Sequence, residues 1–580
     1  MALLLLLFVL TGACSGTMGN SAGDTSPDGA PLDGLQSLAI SPESTTVTVS
    51  KGKPQTVAYT VTGTFPSGTR DVTDLVSLSV EDGRLATFDG ASLKTTDSLG
   101  GKTKVIATSG SITVKASLTV KLQLRSTAPG APPNAQGLFD QTTAGTGTGP
   151  VVLYPPTGAL VPPNLGEMDV MWTDSTHDLW ELSVQSDTTD IKIYTDKLSQ
   201  GITSTTWQVM ADSNLDGKVT LTVRGLLRAS PGSSVGSGDV ELRFGHESVQ
   251  GGLYYWAAVS DGGVIRYDFG KANQQAESYY TKADANDCVA CHALSPDGTR
   301  MAVTFSGGDG AAGILDVAKR SLTADKTYHA NFQVFTPDNK YLITSSEGVL
   351  SVRDPTTGAE QAQLSTGGKA TMPDVSPDGK QLVFVRPSSY TTDWTFTGGS
   401  IVGASLSGTT IGAPQVLVQG SATENNYYPA FSPDSKWIIF NRSSGDSYSD
   451  DDASLWVVSA SGGGTPIELS NANQGKDLRN SWARWSPFVQ SYLGGDLVND
   501  FQTGKLFWFT FSSTRDYGTA LSNGAKDSKD RNPQLWMAAF HPELAQAGKD
   551  PSTPAFWLPF QQLTTNNHIA QWTKKVVKLE

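Results

Sequence analysis

Cysteine is nearly absent, with three residues in 580, at positions 14, 288 and 291. So few thiols exclude a disulfide framework, and the fold must be held by core packing. Charge is sparse as well. Asp, Glu, Lys and Arg make up 17% of the chain, with a formal net charge of −14. No basic stripe is available to neutralise phosphates, which argues against a nucleic-acid partner. The one basic cluster, Lys574, Lys575 and Lys578, reads as a solvated tail. Long helical periodicities are missing. The apolar run ALLLLLFVL at residues 2–10 is too short to span a bilayer as a helix. There is no Walker or dinucleotide-binding loop, and no Gly-x-Ser-x-Gly elbow or α/β segment follows the last repeat. No catalytic constellation emerges, so an enzyme is the less favoured class.

What the chain does have is 60 Gly, 30 Pro and many short β-branched runs. This is the composition of short strands joined by tight turns, and the length prior allows about three to four domains. The fold class expected is all-β: two Ig-like β-sandwiches followed by a six-bladed β-propeller. Residues 1–14 form an apolar segment ending Gly12-Ala13-Cys14, similar to a bacterial lipoprotein signal with Cys14 as the lipid-bearing residue. Thr11 and the lack of an early Lys or Arg depart from that pattern. Residues 15–34 are a Gly/Ser/Pro/Asp-rich tether. The resulting expectation is an exported protein, held at the outer membrane by a lipid anchor only, and facing the periplasm or cell surface.

Residues 35–122 alternate apolar and polar residues in about seven short runs, the pattern of a sandwich. On Ile40-Ser41-Pro42, Gly52, Arg70-Asp71-Val72-Thr73 and the closing Ile106 to Val120, this segment resembles the bacterial Ig-like group 2 domain. Residues 123–150 read as a linker. Residues 151–247 look like a second sandwich, similar to a fibronectin type III or Ig domain. Within it, Asp212-Ser213-Asn214-Leu215-Asp216-Gly217 opens like a calcium loop, but Val223 stands where the closing Glu would be. A hairpin turn on Asp216-Gly217 is the better reading.

From residue 250 to 580 a turn motif repeats, at Ser295-Pro-Asp-Gly298, Thr336-Pro-Asp-Asn339, Ser376-Pro-Asp-Gly379, Ser432-Pro-Asp-Ser435 and the degenerate Ser486-Pro487. The spacings are 41, 40, 56 and 54 residues, and a β-rich run follows each turn. One repeat per about 40 to 45 residues, each a small sheet, reads as propeller blades. The pattern resembles the TolB-like propeller repeat, best at Phe431-Ser-Pro-Asp-Ser-Lys-Trp-Ile-Ile-Phe440. Thr564 to Trp572 matches Thr423 to Phe431, the lead-in to a blade, and the chain then ends. The missing strands of that last blade are assigned to Leu253–Val259 and Val264–Asp268, giving six blades.

Cys288-Val289-Ala290-Cys291-His292 has the spacing of a covalent haem c attachment site, with His292 as the iron ligand. Three readings stay open: haem c, a Cys288/Cys291 disulfide or redox dithiol, and a structural metal on these cysteines with a nearby histidine. Aligned on the turns, the pentapeptide corresponds to stretches beginning at His329, Lys369, Asn425, Arg479 and Asn566. Such lead-ins should ring one mouth of the channel. His329 and His568 then become candidate distal ligands, with Met372 a further soft donor. Asn425, Asn426, Tyr427, Arg479 and Asn480 become candidates for binding a propionate or an extended peptide. The loop carrying Asp446, Asp450, Asp451 and Asp452 reads as an exposed acidic turn, with Ca²⁺ as the weaker alternative. The function expected is therefore a binding or scaffold module that engages an envelope protein or peptide at its channel mouth. The alternative is a haem c redox protein for electron transfer or peroxide chemistry.

Overall fold

The computed structural model describes residues 29–258, 262–269, 275–307, 310–448, 450–476, 478–492, 504–520, 525 and 530–579. Cys14, the apolar segment and most of the tether lie outside them. Strands dominate throughout, and the chain divides into two units, Met1–Gln123 and Leu124–Glu580.

The first unit is built from short antiparallel strands. Ser37–Ser41, Thr60–Phe65 and Gly68–Asp71 form one sheet, and Thr56–Ala58, Ser92–Thr95 and Ala86–Asp89 another. Gly101–Ser109 pairs with Ser77–Val80 on one side and with the long strand from Ile112 on the other; that strand also runs parallel to Ser44–Val49. The alternating pattern of the sequence turns Val61, Leu93, Val105, Leu118 and Val120 inward, where each is fully buried.

In the second unit, six antiparallel sheets of four or five strands follow one another. Blades one to five have innermost strands at Val289–Leu294, Phe332–Phe335, Thr371–Val375, Asn425–Phe431 and Ser481–Trp485. Blade six takes its innermost strand, Asn567–Thr573, from the C-terminal end. Its other three strands, Gly251–Ala257, Gly263–Phe269 and Glu277–Thr281, precede blade one. The composite blade expected from the sequence is therefore formed. Each innermost strand neighbours the next, and Asn567–Thr573 neighbours both the first and the fifth, so the ring closes.

The repeated turn has one chemistry. Ser295, Thr336, Ser376 and Ser432 each donate a hydroxyl to the Asp two residues on, at 2.7, 2.7, 2.6 and 2.6 Å. The same oxygen accepts the backbone N–H five residues ahead, which closes the loop onto the second strand. Residues 298, 339, 379 and 435 take positive φ there, as the Gly, Asn, Gly and Ser of the motif permit to differing degrees.

Three expectations change. The 123–150 stretch carries a helix, Ala135–Asp140, whose Phe139 is buried beside Tyr194, so it is not merely a linker. Asp216-Gly217 turns no hairpin: it joins the helix Ser204–Asp212 to the strand Lys218–Leu226. The C-terminal residues do not form a free tail either, since the Val577 carbonyl accepts a hydrogen bond from buried Arg266. The 151–247 segment shares its core with the propeller: the Tyr154 hydroxyl accepts the Trp557 N–H at 3.0 Å, and Tyr517 donates to Asp169 at 2.9 Å.

Candidate functional site

Counting back four residues from each turn gives Cys291, Phe332, Met372, Tyr428 and Trp482, and Ile569 holds the same place in blade six. These are one residue per blade, and they meet in a single apolar cluster on the channel axis. Local backbone geometry directs them there. A β-bulge interrupts the innermost strand at this point in blades one, three, four, five and six. A bulge re-aims the side chain it carries. Met372, Tyr428, Trp482 and Ile569 also sit at φ of +52°, +51°, +57° and +52°, a conformation costly for side chains other than Gly and Asn. Tyr428 and Trp482 stack at 4.2 Å, and Phe332 lies 5.5 Å from Trp482. Met372 Sδ accepts the Tyr428 N–H at 3.3 Å. The six side chains plug the channel and leave a mouth on each side.

The mouth where the innermost strands begin is a cavity of about 370 Å³, within the range of small-ligand sites. Trp256, Trp394, Tyr427, Tyr448 and Trp482 line it. Trp394 is carried by an insertion in blade three, the hairpin Ser389–Tyr390 with Phe396–Thr397, which lengthens that repeat to 56 residues. Buried Asp393 at its tip fixes it across to blade two, accepting from Asn331 Nδ2 at 3.0 Å, Gly348 N–H at 2.7 Å and Tyr390 hydroxyl at 2.8 Å. Tyr448 comes from the acidic loop, is 58% exposed, and meets Trp394 edge-on at 5.2 Å.

Three neutral polar atoms on residues of this wall are buried without a hydrogen-bond partner among the described residues: Trp394 Nε1, Asn566 Oδ1 and His568 Nδ1. The cationic side chains beside them are already engaged, Arg479 with Asp451 and Arg531 with Asp516. Burial lowers the pKa of His568 to about 4, so its ring is neutral at pH 7.

The residues expected at this mouth divide. Tyr427, Arg479, Asn480 and His568 line the cavity. His329 does not: it ends the outermost strand of blade one and is exposed. Asn425 and Asn426 are buried and hold neighbouring loops. Asn425 accepts the Gly399 N–H and donates to the Phe396 and Gly445 carbonyls, while Asn426 donates to the Gly399 carbonyl and accepts from Arg442. Asn480 is likewise committed, accepting from Arg515 and donating to Asn473. Their polarity serves the scaffold and is not open to a ligand. Two carboxylates of the acidic loop serve its own backbone, Asp446 accepting the Tyr448 N–H at 2.7 Å and Asp452 that of Ser444 at 3.2 Å, while Asp451 pairs with Arg479. Among the described residues, no group of three or more His, Cys, Asp or Glu could hold a metal ion.

The Cys-x-x-Cys-His pentapeptide must bring two thiols and the His292 ring to one porphyrin if it is to hold haem. Cys288 is exposed and Cys291 belongs to the plug, both as free thiols, with burial pushing the Cys291 pKa up to about 12. His292 is 4% exposed, and its Nε2 lies 3.2 Å from the Tyr254 carbonyl, beside a space of only about 20 Å³. These residues, as folded, do not fit a haem.

The mouth on the side of the turns is similar in size, about 420 Å³, and different in kind. Turn prolines Pro296, Pro337, Pro377, Pro433 and Pro487 rim it. Asp374 and Arg484 stand at its base: burial raises the Asp374 pKa to about 6 although Arg484 opposes the shift, and burial lowers that of Arg484.

No family model matches the chain, and no curated protein matches it. Solved structures do. A protein of Agrobacterium tumefaciens described as TolB is 14% identical, with a TM-score of 0.30 over 53% of this chain and 88% of that one. An oligogalacturonate lyase in complex with manganese is 14% identical, at 0.29 over 51% and 72%. Hydrazine synthase of Kuenenia stuttgartiensis is 14% identical, at 0.29 over 43% and 70%.

Sequence reasoning missed Trp256, Trp394, Tyr448 and Trp482. Trp482 was within reach, since it stands four residues before the turn, as Cys291 does. Trp394 and Tyr448 sit in insertions that break the repeat, and the excess spacing of blades three and four was their only trace.

Proposed function

We propose that the protein is an exported, lipid-anchored binding module of the cell envelope, which engages a partner through the lead-in mouth of its propeller. The observation that carries this reading is the aromatic cavity with three buried, unpartnered polar atoms. Buried polar groups in folded proteins are ordinarily satisfied, and such a cluster on a concave wall is what a bound ligand would complete. The turn mouth has two such atoms, Asn339 Oδ1 and Ser486 Oγ, and four aromatic residues in its lining against six at the lead-in mouth. The Ig-like unit at 35–122 and the tether before it act as spacers in this reading, and Cys14 carries the lipid. No feature of the fold favours the haem c redox alternative.

A photo-crosslinking residue at Tyr448 should capture an envelope component in cells, whereas the same residue at Lys574 on the turn side should not. Equal capture at both positions, or none at Tyr448, overturns the assignment.

A further inference from the structure

The character of the lead-in mouth narrows what it can take, on the reading that this mouth is the binding site. Six aromatic residues stand in its lining, and Trp256, Trp394 and Tyr448 are only partly covered. Its buried, unpartnered polar atoms are one donor, Trp394 Nε1, one acceptor, Asn566 Oδ1, and one neutral ring nitrogen, His568 Nδ1, whose role follows its tautomer, and Tyr448 and Asp450 line the same wall. Arg479 and Arg531 have carboxylate partners, so a ligand anion finds no unengaged cation among these wall residues.

Apolar ring faces beside isolated neutral donors and acceptors suit a ligand with both C–H faces and hydroxyl groups. A hydroxyl donates and accepts at once, so it can meet all three open atoms whichever tautomer His568 adopts. C–H groups of a sugar ring carry slight positive charge and lie well on the negative face of an indole. We infer that the lead-in mouth binds an uncharged saccharide, stacked on its aromatic wall and hydrogen-bonded to Trp394, Asn566 and His568.

The test uses the full chain and intrinsic tryptophan fluorescence. Chitotriose, cellotriose, maltotriose and galactobiose are titrated in turn, beside an uncharged peptide of equal length. At least one saccharide should shift the emission saturably and the peptide should not. Trp394→Phe keeps a ring and removes the donor, and should weaken that binding about three- to tenfold, the worth of one neutral hydrogen bond. Trp256→Ala should weaken it further, and Lys574→Ala should change it less than twofold. Retained circular dichroism and melting temperature in Trp394→Phe separate lost binding from lost folding. Silence with all four saccharides, or affinity unchanged in Trp394→Phe, overturns the saccharide assignment. If Tyr448 still crosslinks a partner while the saccharides stay silent, or only the peptide binds, the mouth remains the site and the ligand class is wrong. If neither crosslinking nor any titration responds, both readings fall together.

Discussion

The two mouths of the propeller enclose similar volumes yet differ in how they are built. The turn mouth is made from the repeat itself: five prolines from five equivalent turns, held by one hydroxyl–carboxylate pattern used four times. The lead-in mouth is made from departures from the repeat, namely the blade-three hairpin, the acidic loop of blade four and the lead-ins to the innermost strands. The repeat unit supplies a scaffold, and a surface assembled from identical pieces has little with which to discriminate. In the binding reading proposed above, discrimination comes from the insertions, as in other folds whose loops carry recognition on a fixed frame. The plug keeps the two environments apart, so aromatic chemistry on one side and a buried charge pair on the other do not meet.

The strongest way to break that comparison is to remove the partition. Trp482→Ala deletes a plug side chain in contact with Tyr428 and Phe332, and should cost about 3–5 kcal/mol in urea unfolding. A cost below about 1 kcal/mol would mean that the plug is not core. Next comes the turn mouth. Folded Asp374 keeps its proton to about pH 6, whereas an unfolded Asp releases it near 3.9. The stabilisation this provides is complete below about pH 4 and lost as pH rises through 6. Asp374→Asn should therefore flatten that part of the stability–pH curve, a change of about 1–2 kcal/mol. His292, in the wall between the mouths, acts in the opposite sense. Its pKa is depressed to about 4, so the unfolded chain binds its proton first and stability falls as pH drops from about 6.5 to 4. In His292→Gln this loss should shrink by about 1 kcal/mol per pH unit, measured by thermal melts at pH 7, 6 and 5. The smallest effect concerns the two propeller thiols. Exposed Cys288 should react with a maleimide in the native protein well before Cys291, which is sheltered in the plug and far from its thiolate form. Equal rates would show that the plug opens readily.

Much of this was legible. The Ser-Pro-Asp turns marked the blades, the strands borrowed for blade six were found by matching Thr564–Trp572 to Thr423–Phe431, and the same register placed Cys291 level with Met372. What failed was the inference from position to role. Asn425, Asn426 and Asn480 stand at the predicted level, but an amide beside an insertion is used to hold that insertion, and a one-dimensional register cannot show which way an amide faces. His329 is level with Cys288 by count, yet the longer outer strand of blade one takes it away from the axis. The haem spacing was equally faithful to its pattern. In a helical turn the two cysteines and the histidine can share one ligand; on a bulged strand the thiols and the imidazole part company.

Gly252 pairs with Thr573, so the outer strands of blade six are made some 300 residues before the strand that completes them. While the intervening blades are being made, Gly251–Ala257 presents an unpaired sheet edge, the kind of surface that invites association with other chains. Closing so long a loop carries an entropic cost that the last strand alone must offset. A chain shortened by its final dozen residues would lose most of the strand that neighbours both the first and the fifth innermost strands. Asn567–Thr573 thus serves as the clasp of the ring, and an alteration beside it should be judged first by whether it lets the clasp shut.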